Sequence, residues 1–419
     1  MSKRAVLWIA FLVVHIGVSV LGWIMPNEPM GDVYRVYEPW SSAYLNGGWF
    51  AQVGADGIQT NAYYGYVGLT DAWVYPQLAM LPMLATWLFA WAVSYTPAWA
   101  IMVALVDAAA FAMLVGRGRS RGRNTGAWFW LAFIALMGPV ALYRLDAVTV
   151  PLGIVGCLWL VGRPWWGSVL LAVATWIKVW PAAILAAAVI AVRRRLAVVG
   201  GAAIVSAVTL GAVVALGGGA YAFGFIGDQT DRGLQVESPV STFYLWDLML
   251  GGGSRVFYNP DLLTFEVYGP FVDPVISVMT PLLVLAVVGV AALGAVKAWR
   301  GASFVALFPA LSLALVTAFI AFNKVGSPQY IVWISVPLVV GLVLDRQRWW
   351  RPAVLGLLIA GATQIIYPLT YFDLLVAMPY PVVVITIRNL LLIVLVVWAV
   401  VMLARVRTRG HARRPAVTV

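Results

Sequence analysis

Long apolar runs separated by short polar segments are the feature that most constrains the fold of this chain. An α-helix needs about 20 apolar residues to cross the hydrocarbon core of a bilayer. Of the 419 residues, 63% are hydrophobic and 10% are charged, whereas soluble domains carry about 25% charged residues. A water-soluble fold is therefore excluded. The sequence predicts an all-α, polytopic membrane protein of about twelve transmembrane helices.

Twelve runs are predicted to cross the membrane, and together they form a single module over residues 1–419. They are Ala5–Met25, Ala98–Gly116, Ala127–Tyr143, Ala147–Val161, Trp166–Trp180, Ala182–Val192, Leu196–Tyr221, Val275–Val296, Ser303–Phe322, Ile331–Leu344, Pro352–Tyr367 and Val382–Leu403. A further apolar run, Pro76–Val93, is interpreted as an interfacial or re-entrant segment. Its prolines Pro76 and Pro82 suit a hairpin, and counting it as a crossing would reverse every later loop.

The basic residues predict the orientation. With a cytoplasmic N-terminus, twelve crossings place 20 of the 27 Lys and Arg residues on the cytoplasmic side, as the positive-inside rule requires. Both termini, including the basic tail 405–419, are then cytoplasmic in a plasma-membrane protein. The long loops 26–75 and 222–274 are then external. The net charge of +11 is thus a topology signal, and no nucleic-acid partner is expected.

Cysteine and histidine chemistry contributes little. The only cysteine, Cys157, lies in an apolar run, which excludes a disulfide within the chain and indicates a small core residue. His15 also lies in an apolar run and has no ligand partners near it in the sequence, so no zinc site is expected.

Seven basic residues fall on the external side, where the topology rule disfavours them. They are Arg35, Arg144, Lys178, Arg232, Arg255, Lys324 and Arg388. A cation at a helix end or within a span needs a protein carboxylate or an anionic ligand. Their convergence on one face favours an anion site, such as one for a lipid-borne phosphate.

The structural alternative for these cations is pairing within the protein. Arg144 would pair with Asp146 or Asp107, Arg388 would pair with Asp373, and Lys178 would extend its ammonium group to the surface.

Asp32 is the carboxylate that we expect to complete a site with these cations. It lies just after the first span and before the turn-rich segment Asn46-Gly47-Gly48. The alternative role for a lone Asp at this position is a helix cap. Asp56 and Glu38 are the competing carboxylates in the same loop.

Several short motifs on the predicted external side occur in a distinctive order. They are Gly31-Asp-Val-Tyr-Arg35, Tyr75-Pro-Gln-Leu78, Tyr143-Arg-Leu-Asp-Ala147, Thr175-Trp-Ile-Lys-Val-Trp-Pro181, and the pair Arg232-Gly-Leu-Gln-Val-Glu-Ser238 and Asn323-Lys-Val-Gly-Ser-Pro-Gln-Tyr330. In these motifs the chain resembles the polyprenol-phosphate-sugar-dependent glycosyltransferases of the GT-C fold, family 87. The likeness extends from Val33 to about Val339.

This resemblance implies an inverting transfer of a sugar, most often mannose, from a polyprenyl-phosphate donor. The acceptor would be a hydroxyl of a membrane glycolipid or envelope polysaccharide on the extracytoplasmic face. It implies Asp32 as the general base, and cations to stabilise the departing phosphate, namely Lys178, Lys324, Arg144 and Arg232. The substrate-binding candidates are Arg35, Asp146, Gln235, Glu237, Gln329 and Tyr330, with Trp180 as a further stacking wall. No cofactor or metal is required, although the acidic residues Asp228 and Asp231 leave a divalent ion open.

Three alternatives remain at this point. A transporter or flippase of lipid-linked sugars would show two similar halves, and no convincing internal repeat is present. An arabinofuranosyltransferase of the same fold would differ only in its sugar, and a non-catalytic scaffold of cell-wall synthesis would leave Asp32 inert. The composition, which is rich in Ala and Arg and poor in Lys, resembles that of actinobacterial proteins, in which this family builds phosphatidylinositol mannosides, lipoglycans and arabinogalactan.

Overall fold

The computed structural model describes residues 2–53, 59–230, 232–260 and 262–408. Up to residue 115 it contains α1 (Lys3–Ile24), a π-helical turn (Val33–Tyr37), α2 (Glu38–Leu45), strands β1 (Trp49–Val53) and β2 (Gln59–Tyr63), a 3-10 turn (Gln77–Ala79), α3 (Met80–Ala90) and α4 (Tyr95–Val115). Next come α5 (Arg121–Met137), a 3-10 turn (Gly138–Ala141), α6 (Asp146–Trp159), α7 (Pro164–Ile177), α8 (Pro181–Ala191) and α9 (Arg195–Ala215).

The second half begins with a long, partly irregular segment. It contains a 3-10 turn (Gly219–Tyr221), α10 (Gly224–Thr230), α11 (Thr242–Met249), and strands β3 (Arg255–Asn259) and β4 (Thr264–Tyr268). The last elements are α12 (Val272–Trp299), α13 (Phe304–Ala321), a 3-10 segment (Pro328–Ile334), α14 (Ser335–Leu344), α15 (Arg346–Gln364), a π-helical turn (Ile365–Leu369), α16 (Tyr371–Leu375) and α17 (Pro379–Ala404).

Among the described residues, eight helices are long and apolar enough to cross a membrane. They are Lys3–Ile24, Tyr95–Val115, Arg121–Ala141, Arg195–Ala215, Val272–Trp299, Phe304–Ala321, Arg346–Leu369 and Pro379–Ala404. Five shorter apolar helices accompany them, namely Gln77–Ala90, Asp146–Trp159, Pro164–Ile177, Pro181–Ala191 and Pro328–Leu344. The prediction of a helical, multi-pass membrane protein is confirmed.

Each of the twelve predicted runs contains a helix, but several helices are shorter than a bilayer is thick. α6 and α7 have 14 residues each and α8 has 11. At 1.5 Å per residue, these helices fall short of the roughly 30 Å of hydrocarbon. The predicted run Leu196–Tyr221 also ends early, because the helix stops at Ala215 and Gly217 takes a left-handed backbone conformation with φ of 85°.

The burial pattern separates lipid-facing helices from core helices. α13 is almost wholly buried and packs against α8, α12 and α17. α12 is as apolar as α13, yet its Val284, Leu285 and Val288 are exposed. An apolar helix whose large side chains face outward is typical of a helix in contact with lipid.

Two small pairs of antiparallel strands accompany the helices, both within the long loops predicted to be external. β1 pairs with β2, and β3 pairs with β4 in a register that sets Phe257 opposite Glu266. The turn predicted at 46–48 is confirmed, since Gly47 and Gly48 take φ values of 65° and 90° just before β1. The strands themselves are short and half-polar, so their pattern does not stand out from that of a loop.

A buried hydrogen bond between His15 and Asp107 joins α1 to α4 within the helical core. His15 Nε2 lies 3.0 Å from an oxygen of Asp107, and each side chain is 4% exposed. The other ring nitrogen, Nδ1, lies 2.9 Å from the carbonyl oxygen of Phe11. Asp107 is therefore the partner of His15, and its predicted alternative pairing with Arg144 is wrong.

Candidate active site

Asp32 stands at the start of a helix that follows α1 by a tight turn. Two non-glycine residues of this turn, Asn27 and Glu28, hold left-handed conformations with φ of 62° and 48°, and such strain tends to accumulate at functional sites. Asp32 itself has helical backbone angles and its side chain makes no capping bond. The helix-cap alternative for Asp32 is therefore wrong, and the carboxylate, which is 34% exposed, stays accessible.

Arg144 holds the Asp32 carboxylate. Its Nε lies 3.3 Å from Asp32 Oδ2. Nη1 donates to the carbonyl oxygens of Pro29 and Tyr143 at 3.0 and 3.1 Å, and Nη2 donates to the Tyr367 hydroxyl at 3.2 Å. Because three hydrogen bonds anchor its guanidinium group besides the ion pair, Arg144 is fixed in place and orients Asp32 in turn. The alternative pairing of Arg144 with Asp146 is wrong.

The position of Arg144 depends on the packing of its neighbour against α1. The Tyr143 ring lies against Gly22, where an added Cβ would approach a ring carbon to 2.6 Å. The Tyr143 hydroxyl donates to the carbonyl oxygen of Ser19 at 3.2 Å. A glycine on α1 thus lets the segment between α5 and α6 approach the turn that carries Asp32.

A second ion pair joins Asp146, two residues after Arg144, to Lys178. Lys178 Nζ is 2.7 Å from Asp146 Oδ2, and Trp333 Nε1 donates to Asp146 Oδ1 at 2.5 Å. The Asp146 side chain is wholly buried and that of Lys178 is 10% exposed. Lys178 occupies the break between α7 and α8, where Pro181 begins the new helix. The alternative in which Lys178 extends to the surface is wrong.

Aromatic rings enclose the Lys178 ammonium group. Its nitrogen lies 5.5 Å from the ring centre of Tyr75 and 6.0 Å from that of Tyr330. Tyr330 stacks on Trp333 at 4.1 Å, and Trp333 stacks on Trp180 at 5.6 Å. Such faces stabilise a cation and also suit the apolar face of a sugar ring. Burial raises the pKa of Tyr75 well above its usual value, so its phenol stays protonated.

The loop 232–238 joins this site from the other long loop. The backbone N–H of Gln235 donates to the backbone carbonyl oxygen of Lys324 at 3.0 Å. Arg388 Nη2 donates to the carbonyl oxygen of Glu237 at 2.9 Å, so Arg388 faces Glu237 and its predicted alternative pairing with Asp373 is wrong. Burial raises the pKa of Glu237 to about 7, even though Tyr371, Arg388 and Gln235 oppose that rise.

Tyr330 lies between the pair of Asp146 and Lys178 and the loop 232–238. Its hydroxyl lies within electrostatic range of Arg232, Asp146 and Glu237. Gln329 precedes it in the same 3-10 segment, and Lys324, which is 5% exposed, lies just upstream. The structure therefore brings Arg144, Asp146, Lys178 and the predicted residues of 232–238 and 324–330 to the same end of the helical bundle as Asp32.

Other predicted residues lie apart from these clusters. Arg35 forms an ion pair with Glu28, and both side chains are more than half exposed. Glu38 begins α2, and partial burial raises its pKa. Asp56, Asp231 and the side chain of Asp228 lie outside the described residues. Within the described residues, no group of three or more His, Cys, Asp or Glu side chains is placed to hold a metal ion.

Three residues that hold the site together were not predicted, namely Trp333, Tyr367 and Tyr371. Trp333 orients Asp146, Tyr367 accepts from Arg144, and Tyr371 lies within electrostatic range of Glu237. The only available signal was spacing: Trp333 follows Tyr330 by three residues, and both lie in the same 3-10 segment, where such a spacing places them on one face. No such signal marks Tyr367 and Tyr371, because the backbone at Tyr367 is extended and a kink separates the two residues.

Comparisons with protein-family models, with curated proteins and with solved structures find no match to this chain.

Proposed function

We propose that this chain is an inverting glycosyltransferase that moves a sugar from a polyprenyl-phosphate donor to a hydroxyl of a membrane glycolipid or envelope polysaccharide. The supporting observation is that two carboxylate–cation pairs, Asp32 with Arg144 and Asp146 with Lys178, lie at one end of the helical bundle. Arg144 of the first pair and Asp146 of the second are two residues apart in the chain. One pair leaves its carboxylate accessible and the other surrounds its cation with aromatic rings. A base and a phosphate site side by side are what this reaction needs.

Asp32 is the base in this proposal. An acceptor hydroxyl is a weak nucleophile, and a carboxylate within hydrogen-bond distance removes its proton as the hydroxyl attacks the anomeric carbon. Arg144, which we expected to bind phosphate, instead orients this carboxylate. A single displacement then inverts the configuration at the anomeric carbon.

The phosphate leaves towards the basic residues around the site. The cations around the site are Arg144, Lys178, Arg232, Lys324 and Arg388, and the carboxylates are Asp32, Asp146 and Glu237. Cations therefore outnumber carboxylates around the site, which suits a departing phosphate. Since Asp146 holds Lys178 beside Tyr75 and Tyr330, Lys178 is preorganised for the phosphate.

The sugar ring is assigned to a place beside Tyr330, with Gln235, Glu237 and Gln329 bonding its hydroxyls. Trp180, which we expected to be a further stacking wall, is 2% exposed and stacks on Trp333, which itself stacks on Tyr330. Mannose is proposed because the resemblance favours it. The site is placed on the extracytoplasmic face of the plasma membrane, with both termini cytoplasmic, because 20 of the 27 basic residues then lie inside.

A transporter of lipid-linked sugars is the rival from another class, and the placement of charge argues against it. Transporters bind their cargo near the bilayer midplane, between repeated halves. Here Asp32 follows α1, Arg144 precedes α6, Lys178 separates α7 from α8, and Lys324 follows α13. The polar groups thus lie at helix ends on one side.

Substitution of Asp32 by Asn tests the proposal. The amide keeps an oxygen for Arg144 but cannot take a proton, so transfer from polyprenyl-phosphate mannose or arabinofuranose should fall about 10²–10⁴-fold. Asp71→Asn, an exposed carboxylate of the same loop, is the matched control and should leave turnover unchanged.

Near-normal turnover in Asp32→Asn would remove Asp32 from the mechanism. Glu38→Gln and Asp56→Asn would then locate the base. If the wild-type protein transfers neither sugar to any membrane acceptor, the enzyme proposal fails.

A further inference from the structure

Unpartnered buried polar atoms concentrate beside Glu237. Of the eleven such side-chain atoms among the described residues, five belong to one group of segments: Arg232 Nε, Gln235 Oε1, Glu237 Oε2, Gln329 Oε1 and Arg388 Nε. We call these five residues the polar cluster. A buried polar group without a partner destabilises a fold by about 1–3 kcal/mol. Five in one place therefore indicate a binding surface for a polar ligand.

Backbone contacts make the polar cluster a built site. The backbone N–H of Gln235 bonds loop 232–238 to Lys324, and the Arg388 side chain bonds the Glu237 carbonyl oxygen of this loop to α17. Loop 323–327 lies so close that a Cβ on Gly326 would meet the Ser238 amide nitrogen at 2.2 Å. Only glycine permits this approach. Three segments distant in the sequence are thus locked together around these side chains.

The polar cluster has an accessible side and a deep side. Arg232 and Gln329 are half-buried, next to Tyr330 at the candidate active site. Gln235 is 9% exposed, and Glu237 and Arg388 are each 1% exposed. A ligand bound at Tyr330 would therefore meet Arg232 and Gln329 first, and Gln235, Glu237 and Arg388 behind them.

The types of atom specify the chemistry of the ligand. Three unpartnered atoms are acceptor oxygens and two are N–H donors. A phosphate only accepts hydrogen bonds and would face three acceptors, whereas an ammonium group only donates and would face two donors. A hydroxyl does both.

We propose that the polar cluster, with Arg388 of the last helix as its deepest member, binds the vicinal hydroxyls of a neutral sugar ring and selects the sugar on the lipid donor. This inference rests on the proposed function for the identity of the donor, but it assigns to α17 a part in sugar selection. The phosphate is bound elsewhere, at Lys178.

The test compares the same lipid with and without a sugar on its phosphate. Full-length protein in nanodiscs is titrated with polyprenyl phosphate and with polyprenyl-phosphate mannose or arabinofuranose. The wild type should bind one sugar-bearing lipid at least 10-fold more tightly than the bare lipid. Gln235→Leu and Glu237→Gln should each remove about 10-fold or more of that preference and leave bare-lipid affinity unchanged.

Arg388→Lys extends the test to α17, with Arg388→Met as the stronger change if the protein remains folded. Gln347→Leu, an exposed glutamine at the start of α15, is the matched control for Gln235→Leu. Unfolding without ligand is measured for every variant, so that loss of fold is separated from loss of binding.

The outcomes separate the two proposals. If the wild type prefers a sugar-bearing lipid and the variants keep that preference, the polar cluster is a hydrated structural feature and the inference is overturned. If the wild type binds both kinds of lipid equally, the inference is overturned whatever the transfer assay shows. If the preference depends on the polar cluster but no sugar is transferred, only the proposed enzyme function fails.

Discussion

Removing the negative charge of Asp146 should destabilise the fold far more than its small volume suggests. Asp146 is wholly buried and accepts from Lys178 at 2.7 Å and from Trp333 at 2.5 Å. Asp146→Asn keeps the shape and an oxygen for Trp333 but leaves the Lys178 ammonium group buried without a counter-ion. Breaking a buried pair in this way typically costs about 3–5 kcal/mol. We expect a loss of that size in the free energy of unfolding.

Removing both charges should restore most of the loss. In Asp146→Asn/Lys178→Met no unpaired charge is left, and replacing a buried pair by groups of similar volume is often close to neutral. The two single substitutions and the double substitution form a cycle whose coupling energy should exceed about 2 kcal/mol. The measurement is equilibrium unfolding in mixed micelles, followed by tryptophan fluorescence.

The exposed pair of Glu28 and Arg35 provides the matched control. Both side chains are more than half exposed, and such pairs contribute about 0–1 kcal/mol. Glu28→Gln should therefore change unfolding by less than about 1 kcal/mol. A similarly small effect of Asp146→Asn, or additivity across its cycle, would show that Lys178 is solvated and would refute the buried pair.

Three further predictions concern the loops. Burial holds the Glu237 pKa at about 7 against an ordinary 4.5, so the folded state keeps a proton that the unfolded state has released. Stability should consequently fall by roughly 3 kcal/mol as pH rises from 4.5 to 7 relative to Glu237→Gln, and parallel pH profiles of unfolding would contradict this. Gly326→Ala should destabilise the protein by about 1–3 kcal/mol, because its Cβ would meet the backbone of loop 232–238, while Gly253→Ala, with open space around it, should not; equal unfolding free energies would refute the close approach. In a cysteine-free background, Gly253→Cys should react with an impermeant thiol reagent in intact cells and Ser120→Cys should not, and the reverse pattern would invert the proposed orientation.

The helices could be predicted from the sequence because the bilayer permits few alternatives. An apolar run in lipid must satisfy its own backbone, so each of the twelve predicted runs contains a helix. The paired strands 49–53 and 59–63, and 255–259 and 264–268, lie in polar loops, where the same constraint is absent. These strands have five residues each and depend on pairing that no local pattern specifies.

Sequence reasoning could nominate the charged residues of the site, but it could not pair them. A cation among apolar residues needs a partner, which drew attention to Arg144 and Lys178. Asp146, two residues from Arg144, was the obvious partner for it, yet Arg144 turns to Asp32 and Asp146 turns inward to Lys178. The direction of a side chain at a helix start follows from how the preceding turn packs, and Tyr143 against Gly22 sets that packing here.

Aromatic partners were harder still to predict, for a related reason. The chain has 21 tryptophans and 17 tyrosines, so no single ring stands out by its presence. Trp333 matters because its indole N–H points at Asp146 while its face stacks on Tyr330. One side chain thus fixes both the counter-ion of Lys178 and a wall of the proposed sugar site. Trp333→Phe keeps the stacking and removes only the N–H bond, so its effect on the position of Lys178 is separable from its effect on sugar contact.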